Sequence, residues 1–200
     1  MTEEKPSLFW YRAKFLGLIG VFLAPFVGGW LALYVFEIRP ESINYGTLVQ
    51  PVKRVNWPPL VSTEGVSYDG GFGRKWAFVL FSREACSQAC QSNLFYMRQI
   101  RTLLNRDSDR LQNVLITSVA IDETMSEFLK EYPDLVVIEG FRNESLFGQF
   151  VTNVGERAGN DARLFLVDPD QNYMMYYPAD NDEHRILEDL RKLMKLSKIG

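Results

Sequence analysis

The chain has 200 residues and a formal net charge of −3, with 22 Lys and Arg against 25 Asp and Glu. It carries no basic run and no basic-aromatic stripe, so it lacks the electrostatic footprint of a nucleic-acid-binding protein. No fixed-period repeat and no low-complexity segment occurs, which excludes a repeat array. In chain order, the first element is Phe15 to Phe36, FLGLIGVFLAPFVGGWLALYVF, which holds no charged residue. As a helix rising 1.5 Å per residue it reaches about 33 Å, against a hydrocarbon core of roughly 30 Å. Lys14 and Glu37 close the run, and Trp10, Tyr11, Trp30 and Tyr34 set amphipathic rings near headgroup depth. A cleaved signal peptide would be shorter and end in small residues, whereas here Trp30, Tyr34 and Phe36 continue the run.

Residues 15–36 are therefore expected to cross a bilayer once, with Pro25 and the glycines at 17, 20, 28 and 29 tolerated as membrane helices tolerate them. Lys5, Arg12 and Lys14 precede the span, while Arg39 stands alone after it until Lys53 and Arg54. The positive-inside rule then puts residues 1–14 in the cytoplasm and exports everything that follows. For a bacterium this means the inner membrane, with the folded part in the periplasm. Pro40 to Pro59 reads as an extended tether, which sets a tether at 37–60 and a folded domain at 61–200. About 160 exported residues suit one hydrophobic core rather than two.

Within that domain, Trp76 to Ser82, WAFVLFS, is a continuous apolar run of β-formers, short enough for a buried strand. Cys90, Leu94, Met97, Ile100 and Leu104 then recur every three or four residues, which is helical spacing. Val114 to Ile121 predicts a second buried strand, Thr124 to Tyr132 a capped helix, Leu135 to Ile138 a short strand and Ser145 to Val154 another helix. Arg163 to Val167 and Asn172 to Tyr177 flank the turn-rich Asp168-Pro-Asp-Gln171, which predicts a hairpin, and Asp182 to Leu196 closes as an amphipathic helix. Early alternation followed by a hairpin predicts an α/β fold with a mixed central sheet between helical layers.

Cys86 and Cys90 are the only cysteines, and both lie where the first of these strands turns into a helix. An exported compartment permits disulfide chemistry. At a helix N-terminus, free N–H groups and the helix dipole favour thiolate over thiol, which would make Cys86 a nucleophile. One helical turn separates the two residues, and that distance lies within disulfide reach. Two soft thiolates would also suit Cu(I), whereas a closed zinc site wants four ligands. A static structural disulfide, or two thiols packed as small hydrophobes, is the plainer alternative.

The run KWAFVLFSREACSQACQSNLFYMRQI, the strand end Val119-Ala-Ile-Asp122, and Leu164-Phe-Leu-Val-Asp-Pro-Asp170 followed by Tyr173 together resemble the Sco/SenC family. The resemblance covers about residues 50 to 195, and the anchor agrees with it. It implies a thioredoxin-like, Sco-like domain behind one membrane helix, acting in copper-site assembly of cytochrome c oxidase. It also implies that Cys86 and Cys90 are redox-active, copper-ligating cysteines, and that the partner is a respiratory oxidase subunit or one of its assembly factors. The family's third copper ligand is a histidine, which falls here at Asn160 or a neighbour such as Asp161. Prolines common beside the cysteines are replaced by Ser87 and Gln91.

Copper is thus the one cofactor the resemblance implies, and thiol exchange requires none. A thiol-disulfide oxidoreductase is the leading expectation, with a Cu(I) chaperone and a non-catalytic accessory subunit as rivals. His184, the only histidine, is expected as a solvated residue at the start of the last helix. Met174 and Met175 alternate on a strand, so one should fill the core. Asp122-Glu123 and the Asp168/Asp170 pair stand at strand ends, where capping and turn formation account for them.

Overall fold

The computed structural model describes residues 8–35, 44–151, 163–178 and 182–197. The chain divides into two units, residues 1–43 and 44–200. Among its described residues the first holds one helix, α1 (Leu8–Tyr34), with Pro25 inside it. Phe9–Leu31 is long and apolar enough to cross a membrane. The helix starts seven residues before the expected Phe15, because main-chain hydrogen bonding does not stop where charged side chains begin. Lys14 lies over the Trp10 ring, 4.0 Å from its centroid, as a long stem does when it follows apolar surface. Tyr34 ends the helix, and Phe36, expected to close the span, is outside the described residues.

The second unit contains β1 (Thr47–Arg54), β2 (Leu60–Val61), β3 (Ser67–Tyr68), β4 (Trp76–Ser82), α2 (Gln88–Leu104), β5 (Leu111–Thr117), α3 (Glu123–Leu129), β6 (Leu135–Ile138), α4 (Glu144–Val151), β7 (Leu164–Val167), β8 (Asn172–Tyr177) and α5 (Glu183–Leu196). A 3-10 turn over Asn105–Arg110 joins α2 to β5. Six strands form one sheet in the order β1-β8-β7-β4-β5-β6, while β2 and β3 form a small hairpin. The sheet is mixed as expected: β4, β5 and β6 run parallel, and β4-β7, β7-β8 and β8-β1 are antiparallel.

β4 reads as an unbroken apolar run because both of its faces are covered. Trp76, Phe78 and Leu80 pack with Leu94, Met97 and Ile100 of α2 and with Ile186 and Leu190 of α5. Ala77 and Val79 face the other way, into a cluster with Phe150 of α4, Phe165, Tyr173 and Trp57. The two helical layers follow from this alternation. α5 carries its buried Ile186, Leu187, Leu190 and Met194 at helical spacing, and Asp182 caps it by accepting from the N–H groups of His184 and Arg185.

The expected tether at 37–60 is corrected by β1. Thr47 pairs with Tyr176 and Arg54 with Asn172, so this stretch is an edge strand of the sheet and Val49 is buried. Pro51 sits where the register shifts between Leu48 and Lys53, which suits an edge strand because proline has no ladder donor. Thr47 pairs with Tyr176, and Leu164 pairs with both Tyr177 and Leu80. The chain thus enters the sheet at the end where β4 delivers Ser82.

Other bounds move by a few residues. β5 starts three residues before Val114 and stops at Thr117 rather than Ile121, because the Thr117 hydroxyl engages both the carbonyl and the N–H of Val119 and turns the chain. α3 ends at Leu129 rather than Tyr132, and α4 begins one residue before Ser145. The expected end of α4 at Val154 lies outside the described residues.

Candidate active site

β4 ends at Ser82, whose hydroxyl donates to the carbonyl of Glu84 at 2.9 Å and starts the bend toward α2. Arg83 is held outward by Glu144 at 2.9 Å and lies over the Phe147 ring. Ser87 is the N-cap of α2: its hydroxyl accepts from the Cys90 N–H at 3.3 Å, and its carbonyl accepts from Gln91 N–H at 2.9 Å. Ser87 therefore closes the first turn of the helix.

Cys86 and Cys90 form a disulfide with their Cα atoms 5.3 Å apart. Cys86 precedes the cap, whereas Cys90 is the third helical residue. The helix end consequently does not single out Cys86, contrary to the expectation from sequence. Burial does: Cys90 is 2% exposed and belongs to the core cluster, while Cys86 is half-buried and packs on its edge. No acidic side chain lies in the first turn of α2, so the helix's own residues leave the positive end of its dipole in force.

A groove of about 280 Å³ opens beside Cys86. Val119, Ile121, Met125 and Phe128 line it, Leu115 is in its floor, and Asp122 is on its rim. Cys86, not Cys90, is the cysteine that lines it. Sequence reasoning missed this groove. Its only trace was the i, i+3 pair Met125 and Phe128, which reads equally well as core.

Asp122 accepts from Met125 N–H at 2.7 Å and so caps α3, and Asp168 accepts from both the N–H and the side-chain amide of Asn172 at 2.8 Å. These carboxylates have the structural roles expected of them. Met175 is fully buried and Met174 only partly. His184 is exposed in the first turn of α5. Asn160 and Asp161 lie outside the described residues. Among the described residues, no three of His, Cys, Asp and Glu gather as a metal would require. Once reduced, the two cysteine sulfurs are soft donors suited to Cu(I) rather than to a closed zinc site.

The model of a family described as a transmembrane-like, thioredoxin-like, C-terminal domain matches residues 76–197. Among solved structures, apo Sco1 from Thermus thermophilus is similar with a TM-score of 0.58 at 17% identity, over 78% of this chain and 99% of that one. Copper-bound yeast Sco1 gives a TM-score of 0.57 at 16% identity, over 72% and 95%. BsSco, described as a Sco-family cytochrome c oxidase assembly protein with a disulfide switch, gives 0.53 at 14% identity, over 74% and 96%. These likenesses establish the Sco form of the thioredoxin-like fold. No curated protein sequence matches.

Proposed function

The chain belongs to the transmembrane-like, thioredoxin-like C-terminal domain family, and on that premise we propose that it is a membrane-tethered, Sco-like thiol-disulfide oxidoreductase serving assembly of a respiratory oxidase. The observation that carries this reading is the asymmetry of the cysteine pair: an accessible Cys86 joined to a buried Cys90 at a strand-to-helix junction. In the reduced form, the Cys86 thiolate attacks a partner disulfide, forms a mixed disulfide and releases one partner thiolate. Cys90 then attacks the Cys86 sulfur, and the second partner thiolate leaves. Two electrons pass to the partner, and the chain is left with the Cys86–Cys90 bond. A dithiol reductant must restore the pair. The Sco-fold relatives, one described as a cytochrome c oxidase assembly protein, support a copper-site cysteine pair as the substrate. The charge bias around α1 supports a cytoplasmic N-terminus and a periplasmic domain.

The test uses the reduced full chain in detergent and glutathione disulfide as probe. Cys90→Ser is expected to hold one glutathione on Cys86, seen by mass and removed by a phosphine reductant. Wild type should pass through that adduct to the internal disulfide. Faster labelling of Cys90 in Cys86→Ser would reverse the assigned roles.

A second reading has one specific support, the copper-bound Sco structures: the same thiolates carry Cu(I) as cargo. With no histidine gathered with the two thiolates among the described residues, Cu(II) should be retained poorly, since it prefers imidazole and tetragonal nitrogen or oxygen. Asn160→His, with Asp161→His as register control, should strengthen retention and add a thiolate-to-copper absorption band. Tight Cu(II) binding with that band in wild type would put the carrier reading first.

A further inference from the structure

We infer that the groove beside Cys86 docks an extended, cysteine-bearing segment of a partner protein, with apolar residues next to its cysteine and basic residues flanking them. This rests on the oxidoreductase reading above. A mixed disulfide fixes the partner sulfur about 2 Å from the Cys86 sulfur, so the residues beside that cysteine must cross a surface adjoining Cys86. The apolar concave surface there is the groove lined by Val119, Ile121, Met125 and Phe128.

The groove also continues. A second depression shares Gln91 and Phe128 with it and runs between α2 and α3 past Phe95 and Tyr96 to Arg98 and Tyr132. From Gln88, where α2 begins two residues after Cys86, to Arg98 is about three helical turns, or roughly 15 Å, which an extended chain covers in about five residues. Phe95, 41% exposed, stands along this track. A track open along its length suits a polypeptide better than a compact small molecule.

Charge selects among polypeptides. Glu84, Asp122, Glu123 and Glu139 are exposed around the Cys86 end of the track. The Asp122 and Glu139 carboxylates accept from the N–H groups of Met125 and Ile121. Among the described residues, none of the four is in a salt bridge. Three cations at this face are engaged: Arg83 with Glu144, Arg98 with Glu131 and Lys130 with Glu127. Arg142, the remaining cation among the described residues at this rim, donates to the Ser118 carbonyl. Among the described residues the rim is net acidic, so a basic flank is attracted and an acidic one repelled.

The test again uses the full chain in detergent, reduced and carrying Cys90→Ser. Three probes compete for Cys86: glutathione disulfide, a ten-residue peptide whose single cysteine is a glutathione mixed disulfide flanked by Leu, Phe and Arg, and the same peptide with Ser and Asp at those flanks. The apolar-basic peptide should react about tenfold faster than the acidic one, the order expected from one seated apolar side chain. Part of that ratio should vanish in high salt. Met125→Gln and the double change Glu84→Gln, Glu123→Gln should each shrink the ratio. Equal rates for the two peptides, a ratio indifferent to these substitutions, or a disulfide-linked dimer of the chain outpacing both peptides would overturn the docking proposal. Failure of Cys86 to react even with glutathione disulfide would sink the oxidoreductase reading itself.

Discussion

Two side chains of one residue type can play opposite parts because burial decides what each can do. Cys86 and Cys90 share a bond, yet only Cys86 meets the groove. Their spacing put them within disulfide reach, and the helical series Cys90, Leu94, Met97, Ile100 and Leu104 already set Cys90 on the buried face of α2, whereas the groove that Cys86 meets depends on how α2 and α3 seat, of which the spacing carries no trace. The tyrosines offer a second case. Tyr177 is fully buried, and among the described residues its hydroxyl finds no hydrogen-bond partner. Burial first, and then the charge of Asp189, raises its pKa well above the ordinary tyrosine value. A raised folded pKa favours the neutral form, so this contribution to stability is full below about pH 10 and is lost as pH climbs beyond it. Tyr177→Phe should therefore gain about 1 kcal/mol at neutral pH by removing an unmet buried hydroxyl. It should also soften the alkaline decline. Urea unfolding at pH 7 and pH 11 measures both, and a clear loss at pH 7 would mean that the hydroxyl has a partner.

Elements were legible where their signal is local. β4, α2, the β7-β8 hairpin and α5 announce themselves through apolar runs, helical spacing or turn residues within a dozen positions. β1 does not: TLVQPVKR contains a proline and two cations, and what makes it a strand is the edge of β8, far off in sequence. β5 fails at its end for a similar reason, since VAI looks like more strand until the Thr117 hydroxyl turns the chain. The missed strand has a measurable effect. A fragment beginning at residue 44 should run as a monomer in light scattering, while one beginning at residue 61 should self-associate. Without β1, the outer edge of β8 presents unpaired N–H and C=O groups to any other edge. Monomeric behaviour of the shorter fragment would show that β1 is not needed to protect that edge.

For the molecule as a whole, the mixed sheet between two helical layers followed from the order of elements, because strands alternating with helices leave few arrangements open. The groove did not follow, since it is a gap left between α2 and α3 by side chains that each look like ordinary core. The sheet also fixes the order in which the domain can be completed. Its edge strand is made first, and β8, the strand it pairs with, is nearly the last to be made, with Thr47 matched to Tyr176. Everything from β4 to β7 lies between them in the chain. Synthesis and folding are therefore out of step at this edge: β1 leaves the ribosome well before its partner exists and must wait, unpaired, for the far end of the chain. A pairing so distant in sequence carries a large loop-closure cost and belongs to the slow class of folding topologies. A chain cut short before Asn172 has no strand to which β1 can dock, whatever the state of its cysteines.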